Sequence, residues 1–296
     1  MKELKDINKS IIKTYKKTIW KRTIKAIDEY KLIDEGDNIA VCISGGKDSF
    51  LLACVLREIE RHYKVKFKLT YICMNPGYTE EHLQKILDNA KHFELDLHVF
   101  NTNIFESIEN EKNACYICAR KRRGYLYNKA QELGCNKIAL GHHFNDVIET
   151  ILLNMLYAGQ YGSMLPKLKS DHYEGMTLIR PLYLVNEYDI EKWVKWNELE
   201  FIDCACKVTK KKLDSKRKEM KELIKKLKET YEDVGKIKNY PSDLLRLYKK
   251  LSELAKGLEL AGKKDNIIYI KSEHHAMIES FVGTIYRRNG AEHKFI

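Results

Sequence analysis

The sequence predicts an α/β fold with a doubly wound parallel sheet, N-terminal helices and a helical C-terminal extension. Three observations carry that prediction. From Ile39 onward, short apolar runs of strand type alternate with longer runs of helical spacing, the pattern of a parallel sheet covered by helices. A glycine turn stands between the first strand and the first helix of this series, where such sheets bind anions. The composition is 44% hydrophobic and 32% charged with four prolines, which excludes a disordered or collagen-like chain.

Residues 4–33 place Ile11, Ile12, Tyr15, Ile19 and Ile27 at helical spacing, with Lys13, Lys16, Lys17, Lys21, Arg22 and Lys25 between them. One or two amphipathic helices with a basic face are expected. The core then reads as strand NIAVCI, helix SFLLACVLREIERH, strand FKLTYICM, helix TEEHLQKILDNAKHF and strand DLHVF. A long helix follows from Cys115 through Leu133, then strand KIALG and helix NDVIETILLNMLY, so the sheet domain runs to about residue 200. The segment between Ala158 and Thr177, with Gly159, Gly162, Pro166 and Gly175, reads as a surface loop beside the substrate. Beyond Cys206 a lysine-rich helical pattern begins, a further helix is expected near SDLLRLYKKLSELAKGL, and NIIYI and FVGTIYRRNG read as short strands or irregular structure. Three parts follow: 1–35 N-terminal helical, 36–206 the sheet domain, and 207–296 a basic helical extension.

The 296 residues carry 53 basic and 42 acidic side chains, a formal charge of +11, which suits a polyanionic partner such as nucleic acid. A lysine-rich composition by itself would give the same number. No apolar run reaches the roughly 20 residues of a membrane helix, and the N-terminus lacks the apolar stretch of a signal peptide, so a cytoplasmic protein without membrane contact is expected. Of eight cysteines, Cys42, Cys54, Cys73 and Cys135 stand singly among apolar neighbours and read as core packing. Cys115/Cys118 and Cys204/Cys206 come as close pairs, which in a reducing compartment points to metal or redox chemistry.

Strand NIAVCI runs into Ser44-Gly45-Gly46-Lys47-Asp48-Ser49 at the start of a helix. The glycines let backbone N–H groups approach phosphate oxygens, and Ser44 and Ser49 add hydroxyls. It is not a Walker A loop, because Val41 stands where that motif needs glycine and Asp48 where it needs a hydroxyl. A carboxylate beside phosphates calls for a cation, so Asp48 is assigned to magnesium. SGGKDS resembles the PP-loop of the ATP pyrophosphatase superfamily, whose members adenylate a carbonyl oxygen and release pyrophosphate. The fold this implies is the adenine nucleotide alpha hydrolase-like one.

Cys115-Tyr116-Ile117-Cys118 opens a helix and is followed by Arg120, Lys121, Arg122 and Arg123, side chains that can meet RNA phosphates or simply water. Two thiolates at that spacing can share a metal centre. The stretch CYICARKRRGYLYNKAQELG, with ALGHHFND at 139–146 and IRPLYLVNEYDIEKW leading to FIDC, resembles the tRNA 2-thiocytidine synthetase family over about residues 30–206. The resemblance implies a 4Fe-4S cluster on Cys115, Cys118 and Cys204 with one iron left open for sulfur. It also implies ATP-dependent 2-thiolation of a cytidine at position 32 of the tRNA anticodon loop, with AMP and pyrophosphate as products. Lys47 would balance phosphate charge. His142, His143 and Asp146 lie just past strand KIALG, which Gly141 ends, where the resemblance puts them beside the nucleotide; Gly141 and His142 would line the ATP site, and Asp146 would orient metal or water. Cys206, two residues beyond Cys204, returns to the same face of an extended chain, so both can reach the cluster.

The partners expected are tRNA and a sulfur donor, such as a cysteine desulfurase or free sulfide, with a homodimer allowed. Two other readings remain open at this level. One is a PP-loop enzyme of different specificity, a uridine thiolase or a lysidine-type synthetase, with the four paired cysteines around structural zinc. The other is a non-catalytic RNA-binding protein, which accounts for the charge but not for SGGKDS with Asp146.

Overall fold

The computed structural model describes residues 1–105, 107, 114–157, 163–202, 213–230, 262–264 and 267–269, with side chains except at 114–116, 119, 213–215, 227–230 and the last two stretches. Contacts divide the chain into two units. The first comprises 1–147 and 165–211, the second 148–164 and 212–296.

The first unit is built on a sheet of six strands: β1 (Asn38–Cys42), β2 (Lys68–Asn75), β3 (Leu97–Asn101), β4 (Lys137–Ala139), β5 (Lys167–Lys169) and β6 (Thr177–Ile179), in the order β3-β2-β1-β4-β6-β5. All neighbours are parallel except the edge pair β5 and β6. The chain therefore winds outward from β1 in one direction through β2 and β3, then returns to place β4 on β1's other side. Strand alternation sends Ile39 and Val41 to one face and Ala40 and Cys42 to the other. Both faces are buried, which is why these strands read as continuous apolar runs.

On one face lie α3 (Lys47–His62), α4 (Glu80–His92) and α7 (Glu187–Trp196), with α1 (Leu4–Ile12), a π-helical turn (Lys16–Trp20) and α2 (Lys21–Tyr30) packed over them. The N-terminal pattern is realised as expected: Ile11, Ile19 and Ile27 are buried, Ile12 and Tyr15 partly so, and Lys13, Lys16, Lys17, Lys21 and Lys25 are exposed. Arg22 instead pairs with Asp189 at 3.3 Å. The other face is covered by α5 (Ala114–Glu132), whose Tyr127 and Ala130 pack on Ala40, Ile72, Ile138 and Leu178. The four single cysteines are buried and outside disulfides; burial pushes the Cys54 thiol up to about 12 and Cys73 to about 11, so they remain inert thiols.

The segment expected to be one loop between Ala158 and Thr177 is not all loop. Lys167–Lys169 forms β5 and returns through a turn to β6. Three residues of lysine and leucine behind Pro166 carry little strand propensity, and such a strand is tolerated at a sheet edge, where one side needs no partner.

In the second unit the last turns of α6 (Phe144–Tyr157) meet α8 (Leu213–Thr230), which fulfils the helical reading of the lysine run. Glu149, 1% exposed, faces Arg217 at 3.4 Å and Lys221 at 4.0 Å. Gly262–Lys264 and Ile267–Tyr269 pair as antiparallel strands β7 and β8. The helix expected near 242–258 and the strands expected in FVGTIYRRNG lie outside the described residues. Among the described residues no helix is long and apolar enough to cross a membrane.

At the amino edge of the sheet, Lys137 is buried and ion-paired to Asp37 at 2.5 Å and Asp34 at 2.7 Å, and it donates to the Leu32 carbonyl at 3.0 Å. Asp37 is itself only 4% exposed and accepts from Asn136 Nδ2 at 2.8 Å. Removing the lysine would strand a buried carboxylate. Lys137→Met is therefore expected to lower stability by about 3–5 kcal/mol, read as a shifted urea midpoint in the fluorescence of buried Trp193. An unchanged midpoint would show that the pair does not hold this edge.

Candidate active site

A parallel sheet whose strand order reverses leaves a crevice at the carboxyl edge between the two strands that diverge. Here these are β1 and β4, aligned Ile39 to Lys137, Ala40 to Ile138 and Val41 to Ala139. The loop after β1 is Ile43 to Gly46, leading into α3; the loop after β4 is Leu140 to His143, leading into α6. Every residue that the sequence assigned to nucleotide binding falls on one of these loops or on the first turn of its helix.

The first loop is closed by its own serines. Ser49 Oγ donates to the Gly46 carbonyl at 2.8 Å and accepts from the Ser44 amide at 3.2 Å, so the turn is fixed before any ligand arrives. Gly45 has φ +90°, and a Cβ there would lie 2.5 Å from the Ile202 side chain and 2.8 Å from Ile86. Both backbone conformation and space demand glycine. Gly46 caps the helix, placing the amides of its first turn toward the crevice.

Gly141 joins the two loops. A Cβ on it would meet the Asp48 carbonyl carbon and oxygen at 3.0 Å and the Ser49 nitrogen at 3.1 Å, all backbone atoms that cannot swing aside. The strand β4 loop therefore lies directly against the first turn of α3.

Charged groups converge there. Lys47 Nζ lies 3.4 Å from both Asp48 Oδ2 and Glu187 Oε1. His143, 2% exposed, sits among three carboxylates: Asp146 at 3.5 Å, Asp48 at 3.8 Å and Glu187 at 4.0 Å. The Asp146 amide points at His143 Nδ1 at 3.4 Å, while Nε2 faces Asp48 and Glu187. Asp146 Oδ2 accepts from the His143 amide at 3.0 Å, a local cap that starts α6.

Burial, aided by the Asp146 charge, raises the Asp48 carboxyl above the ordinary carboxylate range despite His143 and Lys47. For Lys47, burial pulls down but the Asp48 and Glu187 carboxylates outweigh it, so the ammonium is held above its usual value and stays charged. His142 Nδ1 accepts from Arg180 Nε at 3.3 Å. That arginine, 5% exposed, also donates to the Leu165 carbonyl; burial and then the neighbouring Arg123 guanidinium bring it down to about 10.

The cysteines are less fully placed. Cys115 and Cys118 stand one turn apart at the start of α5, and Cys118 is buried in a small cluster with Met74 and Ile104. The Cys115 side chain, Cys204 and Cys206 lie outside the described residues. One turn beyond Cys118, Arg122 donates to Tyr78 Oη at 3.4 Å, which donates to the Ser44 carbonyl at 3.5 Å and so links α5 to the glycine loop.

Sequence reasoning missed Glu187 and Arg180. Glu187 opens α7, where an acidic residue reads as a partner of the helix dipole, and its amide is held by Asn145 Oδ1 at 3.1 Å. Arg180 follows β6 in IRPLYLVNEYDIEKW, a run whose likeness to the family was noted without a role for either residue.

Comparison with known proteins agrees with this geometry. A family model described as a PP-loop domain matches residues 15–228. The tRNA-cytidine(32) 2-sulfurtransferase of Geobacter metallireducens is 39% identical over 207 residues, 69% of this chain and 80% of that protein. Its counterpart in Syntrophotalea carbinolica is 39% identical over 218 residues, 71% of this chain and 82% of the relative. Among solved structures, the U34-tRNA thiolase of Methanococcus maripaludis, determined with its 4Fe-4S cluster, has a TM-score of 0.58 at 19% identity, covering 79% of this chain and 78% of that one; this is a likeness of fold. With SGGKDS at the switch point and relatives of this identity and coverage, the chain belongs to the PP-loop family and, within it, to the tRNA 2-thiocytidine synthetases.

Proposed function

We propose that the protein uses ATP to adenylate the C2 oxygen of cytidine 32 in the tRNA anticodon loop and then exchanges that oxygen for sulfur. The observation that carries this reading is the packing of Gly141 against the backbone of Asp48, which makes one phosphate cradle from two loops. The named relatives supply the substrate. A cytoplasmic setting follows from that substrate, and a cysteine desulfurase or free sulfide is the sulfur source expected.

In the first half-reaction the C2 oxygen attacks the α-phosphorus of ATP and pyrophosphate leaves with the bond electrons. Backbone amides at the start of α3 and the Ser44 hydroxyl receive phosphate oxygens, and Lys47 offsets the charge that develops on the leaving pyrophosphate. Glu187 holds the Lys47 ammonium from one side and Asp48 from the other, so the cation is positioned before ATP binds. Adenylation converts a poor leaving oxygen into AMP, which an incoming sulfur nucleophile expels from C2.

Magnesium fits Asp48. Its Oδ1 is buried with no hydrogen-bond donor among the described residues, and the carboxylates of Asp48, Asp146 and Glu187 outnumber the neighbouring Lys47. Magnesium keeps most of its waters and takes phosphate oxygens together with one or two carboxylates, the donors that Asp48 and its neighbours offer. Asp146 would act through a bound water and His142 would line the nucleotide.

The donor set also fits an iron–sulfur cluster. Cys115 and Cys118 stand three residues apart at the start of α5, where the helix N-terminus favours thiolates, and Cys204 is assigned as the third ligand. The cluster, when bound, would supply an iron with an open position for hydrosulfide.

Four sets of outcomes test this function. tRNA from cells lacking the gene should lose 2-thiocytidine by nucleoside mass spectrometry, and the purified enzyme should form AMP and pyrophosphate; ADP as product would sink the reading. Gly141→Ala should weaken ATP binding at least about tenfold, ~1.4 kcal/mol, because its Cβ forces the two loops apart; calorimetry showing wild-type affinity would contradict the shared cradle. Asp48→Ala should abolish adenylation yet keep the visible spectrum of the anaerobically reconstituted cluster. Cys115→Ser, Cys118→Ser and Cys204→Ser should lose that spectrum and thiolation, while Cys206→Ser keeps both; loss in Cys206→Ser would make it a fourth ligand and remove the open iron.

A further inference from the structure

Away from the nucleotide crevice, α5 and the β5–β6 hairpin enclose a cleft of 1010 Å³. Its walls are fixed by packing and hydrogen bonds. Tyr127 of α5 stacks on Tyr173 of the hairpin with ring centres 4.9 Å apart and planes 18° from parallel. Gly124 is what lets the hairpin come so near, since a Cβ there would lie 3.2 Å from Tyr173 Oη. Gln131 Nε2 donates to the Glu174 carbonyl at 3.2 Å, a second tie between the two elements.

The charge of the cleft is predominantly positive. Arg120, Lys121 and Arg123 line it from the helix and Lys169 from the hairpin, against the single carboxylate of Asp171. Arg120, Arg123 and Lys169 are exposed, and none of them has a carboxylate within ion-pair distance among the described residues. Self-repelling cations held on a rigid wall are costly unless an anion enters. Burial and then the positive field of Arg123 depress Arg180, which in turn holds His142 of the nucleotide loop, so the cationic wall extends to the edge of the reaction site.

We propose that this cleft receives the phosphodiester backbone of the substrate RNA, with Arg120, Lys121, Arg123 and Lys169 as its phosphate contacts. The inference rests on the function proposed above and adds the surface that holds the substrate. A spaced row of cations on two elements matches the regular charge of an RNA backbone. Its continuity with Arg180 and His142 would bring the nucleotide that follows the bound phosphates toward the ATP loops.

The test uses the full chain and an unmodified tRNA transcript. Binding is measured by fluorescence anisotropy from low to high salt for wild type, Arg123→Gln, Lys169→Gln and the double variant, with circular dichroism and ATP affinity recorded for each. Each neutralised contact should reduce the slope of log K against log salt by about 0.7–0.9, and the double variant should lose about twice that while ATP affinity stays at the wild-type value. Lys66→Gln, an exposed change just before β2 and outside the cleft lining, should leave the slope unaltered. Wild-type slopes in the double variant, with tRNA still bound and thiolated by the wild type, would overturn the cleft and leave the proposed function standing. A slope loss in Lys66→Gln as large as in the cleft variants would also overturn it, by showing a net-charge effect. Failure of the wild type to bind or thiolate any tRNA would overturn both. Unaltered tRNA binding with lost sulfur transfer from an acidic donor protein would assign the cleft to that partner and reject RNA.

Discussion

The pairing of β1 with β4 at the centre of the sheet is the constraint on which the site depends. Parallel strands that are neighbours in space but far apart in sequence bring two independent loops to the same edge. Their approach is limited by backbone contact: Gly141 touches the carbonyl of Asp48 with no side chain between them. Once that contact is made, Asp48, His143 and Asp146 are within a few ångströms of each other without any further adjustment. α7 then needs only to start in the right place to bring Glu187 onto Lys47.

Electrostatically the site is arranged for ligands it does not itself supply. Lys47 is shared by two carboxylates, and a third carboxylate reaches His143 from the other side. Burial of Asp48 makes this excess of negative charge unfavourable in isolation. On the proposed function, a divalent cation at Asp48 would relieve it and draw in phosphate, turning that unfavourable term into affinity for the metal nucleotide. His143 joins the same balance, for its Nε2 faces the Asp48 and Glu187 carboxylates while the Asp146 amide points at Nδ1.

The sequence made the central strands and their helices readable because both faces of the sheet are buried. NIAVCI and KIALG could not be amphipathic in that setting, and their short apolar runs, broken at Ser44-Gly45 and at Gly141, set the positions of the loops that follow. The first loop was equally readable, since each of its residues has a local reason: Gly45 for its positive φ, Ser49 for closing the turn, Lys47 for charge. Glu187 and Arg180 were not readable in the same way. Their partners Lys47 and His142 lie 140 and 38 positions away along the chain, and no local pattern encodes a contact that only the tertiary fold creates. β5 escaped for a different reason: an edge strand of three residues has no periodicity to detect and is held by its neighbour β6.

Helix α5 carries the final step of this synthesis, because its faces serve different tasks. Tyr127 and Ala130 bury one face against the sheet and so fix the helix rigidly. That rigidity places Cys118 at the helix start in an apolar cluster with Met74 and Ile104, where a thiolate ligand would be shielded from water. Arg122 reaches the glycine loop through Tyr78, and the exposed Arg120 and Arg123 line the cationic cleft. These several tasks are reflected in the sequence of α5, where arginine and lysine occupy every position from 120 to 123 and leave no single apolar stripe. A change that tilted α5 would therefore disturb the cysteine pair, the nucleotide loop and the cleft together, whereas a change at any one of its side chains would disturb only one of them. On the proposed function, such coupling through one rigid element would keep the cysteine-bearing start of α5 in register with the glycine loop.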